Sequence, residues 1–136
     1  MDTSFLHLYE CAPDELLVFV DGGFKANMAY GSGIIANNVE ILFHEKWDFP
    51  KARTNNQAEY LSLIHILRHL LDHFNQRNIK VFIDSQLVER QIKGTNRVND
   101  PYLMAYKNTA TIILGQFNHA SLEHIPGTLM KGILGH

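Results

Sequence analysis

Apolar and polar positions change their spacing several times along the chain, and each change predicts an element. Leu16, Leu17, Val18, Phe19 and Val20 form an unbroken apolar run that ends at Asp21-Gly22-Gly23. Such a run, rich in β-branched and aromatic side chains, predicts a strand buried on both faces. An acid closing that strand falls where open α/β sheets place their ligands. The glycines are expected to turn the backbone sharply and to admit a large group. After a short loop (Phe24 to Ala29), a second strand is predicted over 30–36, with Asn37-Asn38 suited to a two-residue hairpin. The next stretch alternates. Val39, Ile41, Phe43 and Trp47 share one face, and Glu40, His44, Lys46 and Asp48 share the other. Three consecutive antiparallel strands are therefore expected.

From Thr54 the spacing becomes helical. Thr54 with Gln57, or Asn56 with Glu59, supplies a capping box or a close variant. Tyr60, Leu63, Ile64, Leu67, Leu71 and Phe74 then recur at helical intervals. A fourth strand is predicted over 79–83, running into Asp84-Ser85, and a short helix over 86–93 stops at Gly94. Pro101 begins another helix that reaches about Leu114. A fifth strand over 119–125 is broken by Pro126-Gly127, which leaves room for only the stub of a final helix. The layout is α/β, in one domain over 1–136.

Composition narrows the function classes. The 136 residues suffice to bury roughly two-thirds of the unfolded surface. With 46% hydrophobic and 19% charged residues, the chain has the make-up of a globule. A net charge of −2 gives no bulk attraction to nucleic acid, so such binding needs a local basic patch. Arg90, Lys93 and Arg97 are the candidates, with Lys25 and Lys107 standing apart. Cys11 alone forms no internal disulfide and suits a reducing, cytoplasmic setting. No apolar run approaches the roughly 18 residues of a membrane span. Asp2, in a start without a basic region, argues against a signal peptide. A monomer with no membrane partner is expected.

Three acids stand out. Asp21 and Asp84 each end a strand at the same topological place, and Glu59 lies one turn into the long helix that crosses the sheet. Singly, each has a plain structural role: Asp21 opens a turn, Asp84 caps a helix, and Glu59 completes a cap. Together they imply one corner crowded with charge, where unit charges about 4 Å apart repel by roughly 4 kcal/mol at an effective dielectric near 20. Such a cluster holds protons or binds cations. Oxygen-only ligands favour Mg²⁺ or Mn²⁺, and the matching chemistry is metal-assisted hydrolysis of a phosphodiester.

Asp21-Gly22-Gly23, then Thr54-Asn55-Asn56-Gln57-Ala58-Glu59, then Ile83-Asp84-Ser85-Gln86, in this order, resemble type 1 ribonuclease H. The likeness covers the chain from Leu16 to Ile125. It implies a ribonuclease H-like five-stranded mixed sheet, three strands antiparallel and then parallel, with helices on both faces and a truncated final helix. It further implies hydrolysis of the RNA strand of RNA/DNA hybrids with two ions. By the resemblance, Asp21 bridges both ions, and Glu59 and Asp84 complete the second. Gly22, Gly23, Asn55, Asn56 and Gln86 then face the substrate, with Thr54 near a DNA phosphate. Contacts to the 2′-hydroxyl distinguish RNA from DNA.

One feature departs from the family pattern, which carries a fourth acid eight residues after a proline like Pro126. Leu134 holds that position, and Met130 stands where asparagine is usual. The likeness therefore implies a slower enzyme with a greater metal requirement. The alternative is a nucleic-acid-binding module without catalysis on the same fold; an ATPase-like relative is a third option, without a phosphate-cradling glycine loop to support it. Restoring the acid by Leu134→Asp is expected to raise activity at low metal. His136 and the chain's terminal carboxylate fall on the opposite helix face, and Glu123 and His124 are out of position to replace it. His65, His69 and His73, at four-residue spacing, are expected to face solvent. Tyr102 and Tyr106 are expected to pack.

Overall fold

The computed structural model describes residues 3–135. Five strands, β1 (Leu16–Lys25), β2 (Met28–Ala36), β3 (Ile41–Phe49), β4 (Asn78–Ile83) and β5 (His119–His124), form one sheet in the order β3-β2-β1-β4-β5. The first three are antiparallel, and β4 and β5 run parallel to β1. The helices are α1 (Asn55–His73), α2 (Gln86–Lys93), α3 (Pro101–Leu114) and α4 (Gly127–Leu134), and a 3₁₀ turn covers Ser4–Leu8.

The apolar run in β1 divides between two cores, as a strand's two-residue period requires. Leu16, Val18 and Val20 join α1 and α3 in one, with Tyr60, Leu63, Leu67 and Leu103. Leu17 and Phe19 face the other way, against Phe82, Ile125, Met130 and Leu134. Here the opening segment, which reads as polar, closes the second face. Leu6 is buried, and the Tyr9 ring lies 5.1 Å from Phe19 and 4.8 Å from Phe82. Among the described residues, no helix is long and apolar enough to cross a membrane.

Several local expectations are corrected. β1 does not end at Asp21 but continues to Lys25, paired throughout with β2. The turn falls at Ala26-Asn27, whose φ angles of 53° and 62° fit a left-handed hairpin turn. Gly22 and Gly23 are therefore strand residues. The second hairpin is centred one residue beyond Asn37-Asn38: the Asn37 N–H donates to the Glu40 carbonyl at 3.0 Å, and Asn37 Oδ1 accepts from Val39 and Glu40. A bulge at Leu42 (Ile35 pairs Phe43 but Ala36 pairs Ile41) reverses the facing of the strand. Phe43 and Trp47 pack against the α1 core, while Ile41 packs against the α4 core and Val39 is exposed.

The final helix is short, as expected. α4 makes two turns and buries Met130 and Leu134. Of the two tyrosines, Tyr106 packs against the core but Tyr102 is 65% exposed. Of the three histidines, His65 and His73 are exposed as expected, His65 lying 4.5 Å from Trp47, whereas His69 is half-buried with its ring 4.0 Å from Phe43.

Candidate active site

The site sits where β1 outruns β4. Parallel pairing of the two strands ends at Phe19 and Phe82, so Asp21, two residues on, projects beyond its neighbour. Asp84 directly follows β4. Glu59 comes from the first turns of α1, and the glycines set how closely that helix approaches. A Cβ on Gly22 would run into the Ala58 carbonyl, and one on Gly31 into Ser62 Oγ. Only bare backbone lets α1 settle this close to β1 and β2, which brings Glu59 beside Asp21. Ser62 Oγ is itself occupied, donating to the Ala58 carbonyl at 2.7 Å.

Each of the three acids offers an oxygen lying within 4.8 Å of those of the other two. Asp21 is 8% exposed, and Val20, Gly22, Ile83, Ser85 and Val88 complete the walls of the cleft. Burial is the main reason that all three carboxyls titrate high. It pushes Glu59 up to about 8, with Asp84 and Asp21 adding to the rise and a hydrogen bond with Ser85 opposing it. Asp84 is raised by burial, then by its hydrogen bond with Asp21 and that group's charge; its own backbone N–H and His124 oppose this. Asp21 is also raised by burial, against the pull of Asp84, the Gly22 N–H and Lys131. Two carboxyls so close together favour retaining a proton over holding two adjacent negative charges. A site of hard oxygen donors that retains protons for want of counter-charge fits a hard divalent cation.

Stability without metal follows from those shifts. Native carboxyls titrating above their unfolded values bind more protons folded than unfolded, so stability falls as pH rises through the window from about 4 to about 8. In EDTA, the Tm is expected to drop between pH 5 and pH 8. With excess Mn²⁺ the drop should shrink or reverse, because the ion binds the deprotonated acids. Thermal denaturation across pH, with and without metal, checks this. A Tm that rises with pH in EDTA contradicts it.

The other residues marked in the sequence surround the acids. Thr54 is the N-cap of α1, its Oγ1 accepting from the Gln57 N–H at 3.1 Å, and Gln57 Oε1 accepts from the Arg53 N–H at 2.7 Å. Asn55 is exposed and bound through Oδ1 to the Phe24 N–H at 2.8 Å, which ties the first turn of α1 to the end of β1. Asn56 is half-buried on the same turn, and exposed Gln86 opens α2. Gly23 adjoins the Tyr30 hydroxyl, 2.5 Å from where a Cβ would stand.

Four further groups reach the site. Ser85 caps α2, accepting from the Val88 N–H at 3.1 Å, as well as bonding Glu59. The Tyr30 hydroxyl is held up by burial and by all three acids. His124 and Lys131 act on Asp84 and Asp21 by charge. A signal existed for Ser85 and Tyr30: one follows Asp84, and the other lies on the antiparallel strand β2, opposite Gly23. Lys131 carried none, because the pose of α4 is a tertiary property, whereas His124, weighed in the sequence only as a replacement for the missing acid, ends β5 opposite Ile83, next to Asp84. Leu134 is 1% exposed in the apolar core, and His136 lies outside the described residues.

Residues 19–129 match the family described as reverse transcriptase-like. The chain is similar to ribonuclease HI of Halobacterium salinarum, with 42% identity over 111 residues, amounting to 79% of this chain and 55% of that protein. It thus spans little more than half of that relative's length. The crystal structure of RNase H1 from Halobacterium salinarum superposes with a TM-score of 0.80 at 31% identity, covering 86% of this chain and 89% of the other. LC11-RNase H1, solved in complex with RNA/DNA hybrid, gives 0.74 at 26% identity, covering 84% and 87%.

Proposed function

The chain belongs to the type 1 ribonuclease H family of the ribonuclease H-like superfamily, and on that footing we propose that it hydrolyses the RNA strand of RNA/DNA hybrids with Mg²⁺ or Mn²⁺. The observation that carries this reading is the meeting of Asp21, Glu59 and Asp84 in one cleft, with Asn55, Asn56 and Gln86 nearby on α1 and α2. The hybrid bound by LC11-RNase H1 supports the choice of substrate. All three acids come from one chain, so a monomer suffices.

Mg²⁺ or Mn²⁺, held by Asp21, Glu59 and Asp84, would neutralise the charge that builds on the phosphate as water adds. Ser85 keeps Glu59 oriented, and the apolar walls from Val20, Ile83 and Val88 limit the water around the acids. The Asn55, Asn56 and Gln86 amides, presented at helix starts, suit sugar hydroxyls and base edges in a shallow minor groove. Gly22 and Gly23 present bare backbone beside Asp21. Thr54, exposed at the N-cap of α1, would meet a phosphate of the DNA strand. Of the basic residues, Lys93 is paired with Glu89 at 2.8 Å, whereas Arg90 is exposed and available for phosphate.

A second reading, a binding module without catalysis, is favoured by the apolar residue at position 134. Incubation of end-labelled hybrid, RNA duplex and DNA duplex with either metal separates the two. Metal-dependent cuts confined to the RNA of the hybrid are expected. Hybrid binding without cleavage in any metal would establish the module instead.

A further inference from the structure

The sheet face that carries Asp21 continues past the acids into an open cleft. Asp21 lies opposite Ser32 on β2, and Ser32 lies opposite Lys46 on β3. Residues paired in this way point to one face, so the three form a row across the strands, on the side where Leu17 and Phe19 meet α4. The next row is Gly23, Tyr30 and Asp48, where the bare backbone of Gly23 leaves room for the Tyr30 hydroxyl. Tyr30, Gly31, Ser32, Lys46, Trp47 and Asp48 line a cleft of about 240 Å³. Four of these six, Tyr30, Ser32, Lys46 and Asp48, belong to the two rows.

The row sets a distance. Neighbouring strands lie about 4.8 Å apart, so two spacings put the Lys46 Cα about 10 Å from that of Asp21. A flexible lysine stem covers much of that gap, which brings its ammonium to the phosphates next to one resting at Asp21. Lys46 is exposed and forms no ion pair among the described residues, whereas Lys80 pairs with Glu15 and Lys93 with Glu89. Ser32 is buried, so the floor between Asp21 and Lys46 is uncharged. Asp48 is the one carboxylate lining the cleft, and it lies a row further on, which leaves the Ser32 side for an anion. In a chain of net charge −2, an unpaired ammonium beside the acids is a local attraction that the whole molecule does not supply. We propose that Lys46 holds the phosphate one or two steps from the cut on the RNA strand, which lays that strand across β2 with its scissile phosphate at Asp21. This deepens the nuclease reading above and rests on it. Lys46 makes the same contact before and during the reaction, so it sets affinity and register more than the rate of the chemical step.

The test compares Lys46→Met and Lys46→Arg with wild type on an RNA/DNA hybrid. In EDTA at low salt, Lys46→Met is expected to weaken hybrid binding about 5- to 10-fold and to lower the slope of log K against log salt by about 1, with Lys46→Arg close to wild type. With Mn²⁺, KM should rise by a similar factor while kcat stays within about twofold. Position is read from hybrids carrying a single uncharged methylphosphonate linkage, moved a step at a time along the RNA strand. One such linkage, a step or two from the cut, is expected to weaken binding by wild type and not by Lys46→Met. Equal affinity and equal salt slope in Lys46→Met and wild type overturn the proposal, and so does a variant that responds to every neutral linkage as wild type does. Wild-type protein that binds hybrid but cuts none defeats the nuclease reading instead, and the binding comparison still decides the role of Lys46. Failure to bind hybrid at all overturns both.

Discussion

Asp84→Asn is expected to lower metal-dependent cleavage of an RNA/DNA hybrid by about a thousandfold or more while leaving the fold intact. The expectation follows from what the carboxylate does in the cleft. It offers one of the three clustered oxygen donors and lies directly beside Asp21. Asparagine keeps the shape and one oxygen but loses the charge that attracts the ion, and several kcal/mol of lost transition-state stabilisation corresponds to about three decades in rate. The same change should not harm the protein at rest. Burial holds the Asp84 carboxyl well above its ordinary range, so ionising it at pH 8 without metal works against folding. In EDTA at pH 8, Asp84→Asn should therefore melt no lower than wild type. Single-turnover cleavage and a thermal melt on the same preparations check both halves. A variant that still cuts within tenfold of wild type removes Asp84 from the metal site.

Leu134→Asp is expected to destabilise the protein by about 3–5 kcal/mol, the cost of placing an unpaired carboxylate among apolar side chains. Position 134 invites the opposite expectation when judged by spacing alone, since an acid eight residues after Pro126 is what the family pattern carries. The structure gives a different answer. Leu134 is 1% exposed and belongs to the cluster of Leu17, Phe19, Phe82, Ile125 and Met130. The α4 side chain whose charge reaches Asp21 is Lys131, three residues earlier. An acid at 134 thus enters a core, not a metal site, and gains no partner there. Urea denaturation should show the lost stability, with Leu134→Ala losing about 2–5 kcal/mol through the cavity it leaves. A Leu134→Asp protein as stable as wild type, cutting faster at low metal, would show that α4 can rotate to present that position to the cleft.

The contrast between Asp21 and Leu134 shows what could be inferred from sequence and what could not. Short-range signals worked wherever one physical cause dominates. The unbroken apolar run of β1, the Thr54 cap of α1, Gly94 with φ +83° closing α2, and Pro101 at the start of α3 each follow from local sterics or hydrogen bonding. The three acids were also legible, because each lies at a fixed offset from such an element. Asp21-Gly22-Gly23 reads as a strand end, yet glycine permits a turn without requiring one. Here its missing side chains admit Ala58 and Tyr30, which no nearby residue reveals. The bulge at Leu42 escaped detection because it depends on the partner strand. No local signal marks Leu6 and Tyr9 as core, since their cover comes from distant Phe19 and Phe82. Lys131 belongs to the same class, since its place near Asp21 is set by how α4 lies on the sheet.

With β1 feeding side chains to both layers, the molecule has no seam along which one half can open while the other stays closed. Cooperative melting of the whole sheet is the natural result, and the strand that carries Asp21 is the last place where the chain can be cut and rejoined. New termini belong at the Asn37–Glu40 loop, at the far end of the sheet from the acids.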